Sequence, residues 1–74
     1  MKLKEIYSVL SSETCVDIRD ASGGHMEQIY FGFPDEARTQ HLCDYCEVLE
    51  IKHVWQSSRD NGVISIRPIL QILV

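Results

Sequence analysis

Residues 47–74 read EVLEIKHVWQSSRDNGVISIRPILQILV, two alternating runs of apolar and polar residues on either side of Asp60-Asn61-Gly62. Alternation with a period of two is typical of a half-buried strand. Asn-Gly between two such runs is the strongest short-range signal of a β-hairpin, because both residues tolerate a positive φ. The sequence therefore predicts a hairpin with strands at Glu47–Gln56 and Val63–Val74.

A second hairpin is predicted earlier in the chain. Thr14–Asp20 alternates, and Met26–Phe33 is rich in aromatic and β-branched residues. The short link around Gly23-Gly24 leaves no room for a parallel crossover, so we expect these strands to be antiparallel. Tyr30 is expected to face outward. The side chains that share the other side of this strand, and that we expect in the core, are Ile29, Phe31 and Phe33.

Two helices are predicted beside the hairpins. Leu3, Ile6, Tyr7 and Leu10 recur at the spacing of one helical face, which predicts a helix from Lys2 to Leu10. Pro34 followed by acidic residues is a helix entry, and a second short helix is expected over residues 35–45. We therefore expect one α+β domain over residues 1–74, in the order αββαββ. Its sheet would be four-stranded and antiparallel, built from the two hairpins, with one or two helices on one face.

The last residues of the chain are apolar on both faces of the predicted strand. Pro68 cannot donate a ladder hydrogen bond, so the strand is expected to bend there or to lie at an edge. An exposed apolar edge attracts another strand unless something covers it, and the cover could be a helix of the same chain. We expect this edge to bind a partner protein or a second copy of the chain. The residues assigned to this partner-binding or oligomer edge are Ile69, Leu70, Ile72, Leu73 and Val74.

Cys43 and Cys46 have the C-x2-C spacing of half a zinc site. A structural site needs two further ligands, but His41 is too close in sequence to form a typical second pair. The remaining candidates, Cys15, His25 and His53, are not paired at a ligand spacing. The competing interpretation is two ordinary cysteines near a helix end. The sequence thus leaves open a small zinc-binding domain that uses Cys43 and Cys46, and otherwise predicts no cofactor.

Composition narrows the classes of function. The net charge of −4 and a pI near 5.1, with scattered Lys and Arg, disfavour nucleic-acid binding. No apolar stretch is long enough to cross a bilayer, and the first ten residues, MKLKEIYSVL, do not resemble a signal peptide. Three cysteines favour a reduced, cytoplasmic protein. No catalytic set of residues can be assembled from spacing, so we expect no enzyme but a non-catalytic protein-binding module, or else a structural homo-oligomer.

The segments MKLKEI at residues 1–6 and TCVDI at residues 14–18 resemble the start of many short uncharacterised proteins from phages and mobile elements of Gram-positive bacteria. The resemblance extends in outline over the whole chain, but its motifs are generic and carry over no functional residue. It implies a small accessory or host-interaction protein, such as a phage-type inhibitor or regulator of a bacterial protein; anti-CRISPR inhibitors are one such class. The chain departs from this pattern at Cys43, Cys46, Gln56–Asp60 and Pro68.

Overall fold

The computed structural model describes residues 1–74 as two helices and four strands. The strands form one sheet in the spatial order β2-β1-β4-β3. This confirms an α+β fold with a four-stranded sheet and two short helices. Neither helix has the length and apolar content needed to cross a membrane. In chain order the elements are α1 (Leu3–Val9), β1 (Val16–Asp20), β2 (Glu27–Gly32), α2 (Pro34–Thr39), β3 (Glu50–Asp60) and β4 (Val63–Leu73).

The sheet is mixed, and the prediction of a fully antiparallel sheet is therefore wrong. Each hairpin is antiparallel, but β1 and β4 lie side by side in parallel, with Val16 opposite Leu70 and Ile18 opposite Ile72. The order of the strands across the sheet also differs from their order along the chain. Turn residues specify pairing within a hairpin, whereas tertiary packing selects which strands of two hairpins meet.

One face of the sheet holds the core. Three apolar side chains of α1 pack there against β1, β4 and the single buried alanine of α2. Complete burial of a Leu or Ile side chain contributes about 1.5–3 kcal/mol, so tertiary packing is what stabilises a seven-residue helix. The buried residues of this cluster are Leu3, Ile6, Tyr7, Val16, Ile18, Ala37 and Ile72.

Arg38 links α2 to the end of α1 by hydrogen bonds. Its Nη2 donates to the carbonyl oxygens of Tyr7 at 2.6 Å and Leu10 at 3.0 Å, and its Nη1 lies 3.0 Å from Asp35. Carbonyls at a helix end lack partners within the helix, so these bonds satisfy groups that would otherwise be unpaired. The Tyr7 hydroxyl donates to the Leu42 carbonyl at 2.8 Å, and burial raises the pKa of this phenol above its ordinary value. Tyr7 is thus a neutral donor at pH 7.

The predicted placement of Tyr30, Phe31 and Phe33 is wrong. Phe31 and Phe33 are exposed, while Ile29 and Tyr30 pack against the core. A β-bulge is the cause: Tyr30 lies opposite Ile18, and the next pair joins Arg19 to Gln28, so that Ile29 is the extra residue. A bulge breaks the alternation of side chains. Ile29 and Tyr30 therefore both point towards the helices, and the alternation of the side chains between the two faces shifts by one residue.

The second helix is shorter than predicted. Pro34 occupies its first turn and Asp35 and Glu36 follow, as the sequence indicated, but the helix ends at Thr39 rather than near residue 45. The next residues form turns, and His41 and Cys43 both have a φ of 54°. A positive φ at a residue other than glycine is incompatible with a continuing right-handed helix.

Candidate functional site

The most prominent feature outside the core is a two-stranded ribbon of residues 55–68, which we call the arm. On the β1 side, β4 is paired only from Leu70 to Leu73. Further from the core, the two strands of the hairpin pair only with each other, and every residue from 55 to 68 is exposed. Six residues of strand span about 20 Å. The arm contributes to the elongated shape of the protein, whose Cα extents are 42 × 28 × 18 Å.

The arm ends in the tight turn that the sequence predicted. Asp60 lies opposite Val63, and the two loop residues, Asn61 and Gly62, have φ values of 50° and 80°. Positive φ at both central residues is the requirement of a type I′ turn, whose twist matches that of the strands. This geometry holds the two strands of the arm in one register.

One face of the arm is apolar and uncovered. Trp55 lies opposite Pro68, Ser57 opposite Ile66, and Arg59 opposite Ile64, so these side chains share one face. Even-numbered residues of β4 include Ile72 of the core, and this face therefore continues the helix-covered side beyond the helices. The side chains of Trp55, Ile64 and Ile66 are 71%, 60% and 64% exposed. We call these three residues together with Pro68 the apolar stripe.

The outer edge of β3 is open along the whole strand, since β3 is the last strand of the sheet. The Leu70 N–H donates to the Cys15 carbonyl at 3.0 Å, so even-numbered residues of β4 turn their backbone towards β1. Backbone direction alternates along a strand, and by the register the odd-numbered residues of β3, from Ile51 to Arg59, direct their N–H and C=O groups outward. Pro68 is even-numbered, so its missing N–H lies on the unpaired side of β4, where no ladder bond is lost.

The predicted partner-binding edge is not at an edge. The segment from Ile69 to Val74 lies between β1 and β3. Packing covers it within the same chain because β1 pairs with it and α1 lies over Ile72. It cannot accept a further strand while the domain is folded. Of the five residues assigned to this edge, Ile69, Ile72 and Leu73 are buried, and Leu70 and Val74 are partly buried.

Cys43 and Cys46 lie together in the turns after α2. Burial, a side-chain hydrogen bond to Cys46 and the negative charge that Cys46 carries as a thiolate raise the pKa of Cys43, which favours the neutral thiol. The chain contains no group of three or more His, Cys, Asp or Glu side chains placed to hold a metal ion. The two thiols therefore lack the third and fourth ligands of a structural zinc site, and metal analysis is the test of the zinc-binding alternative.

A polar cluster lies on the sheet face opposite the helices. Asp17 is only 5% exposed, and its carboxylate accepts bonds from Arg19 Nε at 2.8 Å, Gln28 Nε2 at 2.9 Å and Gln71 Nε2 at 3.2 Å. Burial by itself would raise the pKa of Asp17, but the hydrogen bonds from Gln28, Arg19 and Gln71 outweigh it, and the pKa is lowered. The carboxylate is satisfied by the protein itself, so this cluster is structural.

No family model, curated protein or solved structure matches the chain. The case for a function therefore depends on the geometry of the arm.

The arm is the feature that sequence reasoning missed. The sequence predicts a strand that ends at Gln56, whereas β3 continues to Asp60. A two-residue Asn61-Gly62 turn requires its flanking residues, Asp60 and Val63, to pair, and strict alternation then extends β3 to the turn. That signal was present in the sequence, but the exposure of both faces depends on how far β1 reaches along β4.

Proposed function

We propose that this protein is a non-catalytic protein-binding module and that the arm is its binding element. The observation that carries the proposal is the apolar stripe, which combines an exposed tryptophan with two exposed isoleucines. Tryptophan is enriched among the residues that contribute most to binding at protein interfaces. The opposite face of the arm carries Gln56, Ser58 and Arg67, and its one exposed apolar residue is Val63 beside the turn.

The energetics of a free hairpin support the same proposal. A two-stranded ribbon without a third strand or a packed face is marginally stable in water. A partner that covers Trp55 and Ile66 would bury apolar area and restrict the strands at the same time. The open edge of β3 offers a second mode of contact, in which an extended segment of the partner adds a strand to the sheet.

A groove at the base of the arm adds to this surface. It has a volume of about 450 Å³, and Phe33, His53, Pro68 and Leu70 contribute to its lining. The exposed Phe33 side chain lies at this groove, next to Pro68 of the apolar stripe. A partner can therefore contact the arm and the adjoining part of the domain as one surface.

The resemblance to phage and mobile-element proteins suggests a bacterial partner, with inhibition or regulation as the outcome. The test is the capture of partner proteins from a bacterial lysate. The three bait proteins are the wild type, the double variant Trp55→Ser/Ile66→Ser and the control Val9→Ser, and circular dichroism first checks that all three are folded to the same extent. Val9 is also exposed but belongs to α1 and not to the arm. We expect a partner that the wild type and the control retain and the arm variant loses. Capture of no protein, or of the same proteins by all three baits, would contradict the proposal.

A further inference from the structure

We propose that the arm binds a second copy of this chain, through antiparallel pairing of the open β3 edges about a two-fold axis at Gln56. This inference rests on the proposed binding role of the arm and adds a second copy of the chain as a partner. The paired edges would join two four-stranded sheets into one of eight strands.

The backbone of β3 permits such pairing. The odd-numbered residues from Ile51 to Arg59 direct their N–H and C=O groups outward, and a two-fold axis perpendicular to the sheet brings odd-numbered residues opposite each other. With the axis at Gln56, Trp55 faces the second copy's Ser57, and His53 faces its Arg59. Each such pair can exchange two hydrogen bonds. The β4 side of the arm is less suited to pairing because Pro68 lacks an N–H.

Charge selects this register. Centred on Gln56, the pairing places Lys52 of each copy opposite Asp60 of the other, which gives two ion pairs of opposite charge. A shift by one residue, with the axis at Trp55, would instead place Glu50 opposite Asp60, and like charges directly opposite are destabilising. The shift in the other direction would place Val54 opposite Asp60. Only the register at Gln56 pairs the charges at both ends of the contact.

Side-chain size fits the same register. Trp55 would lie beside Ser57 of the second copy, and Ile66 of that copy is the next residue in the row. A serine leaves room for the indole to reach across to Ile66. At the axis, Gln56 meets its own copy, and two amides can donate and accept reciprocally. The apolar stripes of the two arms would thereby cover each other in part.

The contact is modest in size. Edge pairing over about nine residues falls below the roughly 1,200 Å² of a standard stable interface, so we expect a reversible dimer with a dissociation constant of about 1–100 µM. The first test is sedimentation equilibrium of the full chain from 1 to 500 µM. Trp55 is the sole tryptophan, and its emission should shift to shorter wavelength as the dimer forms.

Charge reversal tests the register. Asp60→Lys should weaken dimerisation at least about tenfold, because two attractive pairs become repulsive. The double variant Lys52→Asp/Asp60→Lys should restore the wild-type dissociation constant to within about threefold. Glu27→Lys makes the same change of charge on β2, at the other edge of the sheet, and should leave dimerisation unchanged. A dimer that is insensitive to Asp60→Lys would overturn the proposed register.

Cysteine cross-linking gives an independent test in a background with Cys43→Ser and Cys46→Ser. Gln56→Cys would face itself at about 4.5 Å between Cα atoms, within the range for a disulfide. Ser58→Cys lies on the same face, but its two copies would be about 14 Å apart, too far to bridge. We expect rapid oxidation to a covalent dimer only for Gln56→Cys. A strict monomer at 500 µM with equal, slow oxidation of both variants would refute self-pairing, whereas the lysate experiment would still decide whether the arm binds another protein.

Discussion

Substitution of Asp17 by asparagine should destabilise the domain by about 2–3 kcal/mol at pH 7. The buried carboxylate accepts three side-chain hydrogen bonds, from Arg19 and Gln71 to one oxygen and from Gln28 to the other. An asparagine keeps one oxygen for Gln28 but places an NH₂ group against two donors. Loss of hydrogen bonds to a charged acceptor costs about 1.5–3 kcal/mol each, and access of Arg19 to water reduces the total.

The loss of stability caused by Asp17→Asn should depend on pH. The pKa of Asp17 is lowered in the folded state from an ordinary value of about 3.9. Its contribution to stability is therefore fully present above pH 4 and is lost as the pH falls through the folded-state pKa. The difference between the wild type and Asp17→Asn should be constant between pH 5 and 7 and should shrink below pH 4.

Urea denaturation followed by far-ultraviolet circular dichroism measures this difference. Trp55 fluorescence is a poor reporter of global unfolding, because Trp55 is exposed in the folded arm. Glu13→Gln removes an exposed carboxylate in the loop before β1 and should change the free energy of unfolding by less than about 0.5 kcal/mol. A loss below about 1 kcal/mol for Asp17→Asn, or a loss that grows below pH 4, would refute the reasoning.

Three further outcomes are expected. Ile72→Ala should lower the free energy of unfolding by about 2–5 kcal/mol because it leaves a cavity in the core, whereas Ile66→Ala on the exposed arm should cost less than about 1 kcal/mol; urea titrations compare them. Arg38→Met should cost about 1–3 kcal/mol through loss of its bonds to the last carbonyls of α1, measured by thermal unfolding at matched concentration; an unchanged midpoint would contradict that role. Metal analysis of protein prepared without a histidine tag should find less than one zinc per chain, since Cys43 and Cys46 supply only two ligands; one zinc per chain, lost on Cys43→Ser, would contradict this.

The local signals in this sequence were sufficient for local structure. The turn at Asn61-Gly62, the helical spacing of Leu3, Ile6 and Tyr7, and the proline at the start of α2 each specify a short segment, and the structure confirms each one. These signals act over a few residues, through φ preferences and the spacing of apolar side chains. The structure that each signal predicts does not depend on residues elsewhere in the chain.

The contacts between distant segments could not be predicted in the same way. Nothing near Val16 indicates that Leu70 will lie beside it in parallel, because that pairing is selected by the burial of both under the helices. The apolar character of residues 69–74 is visible in the sequence, but the segment of the same chain that covers them is not. The bulge at Ile29 similarly reversed the placement of Phe31 through a single extra residue.

The position of β4 in the middle of the sheet has a consequence for synthesis of the chain. β1 cannot pair with β4 until Leu70, which lies 54 positions after Val16 in the sequence, has been synthesised. While the ribosome is still making β3, the first hairpin and α1 have no completed core to dock on. Non-local pairing of this kind slows folding relative to a chain with local contacts. We therefore expect the domain to fold in one late step once residues 70–73 have emerged, and not progressively from its N-terminus.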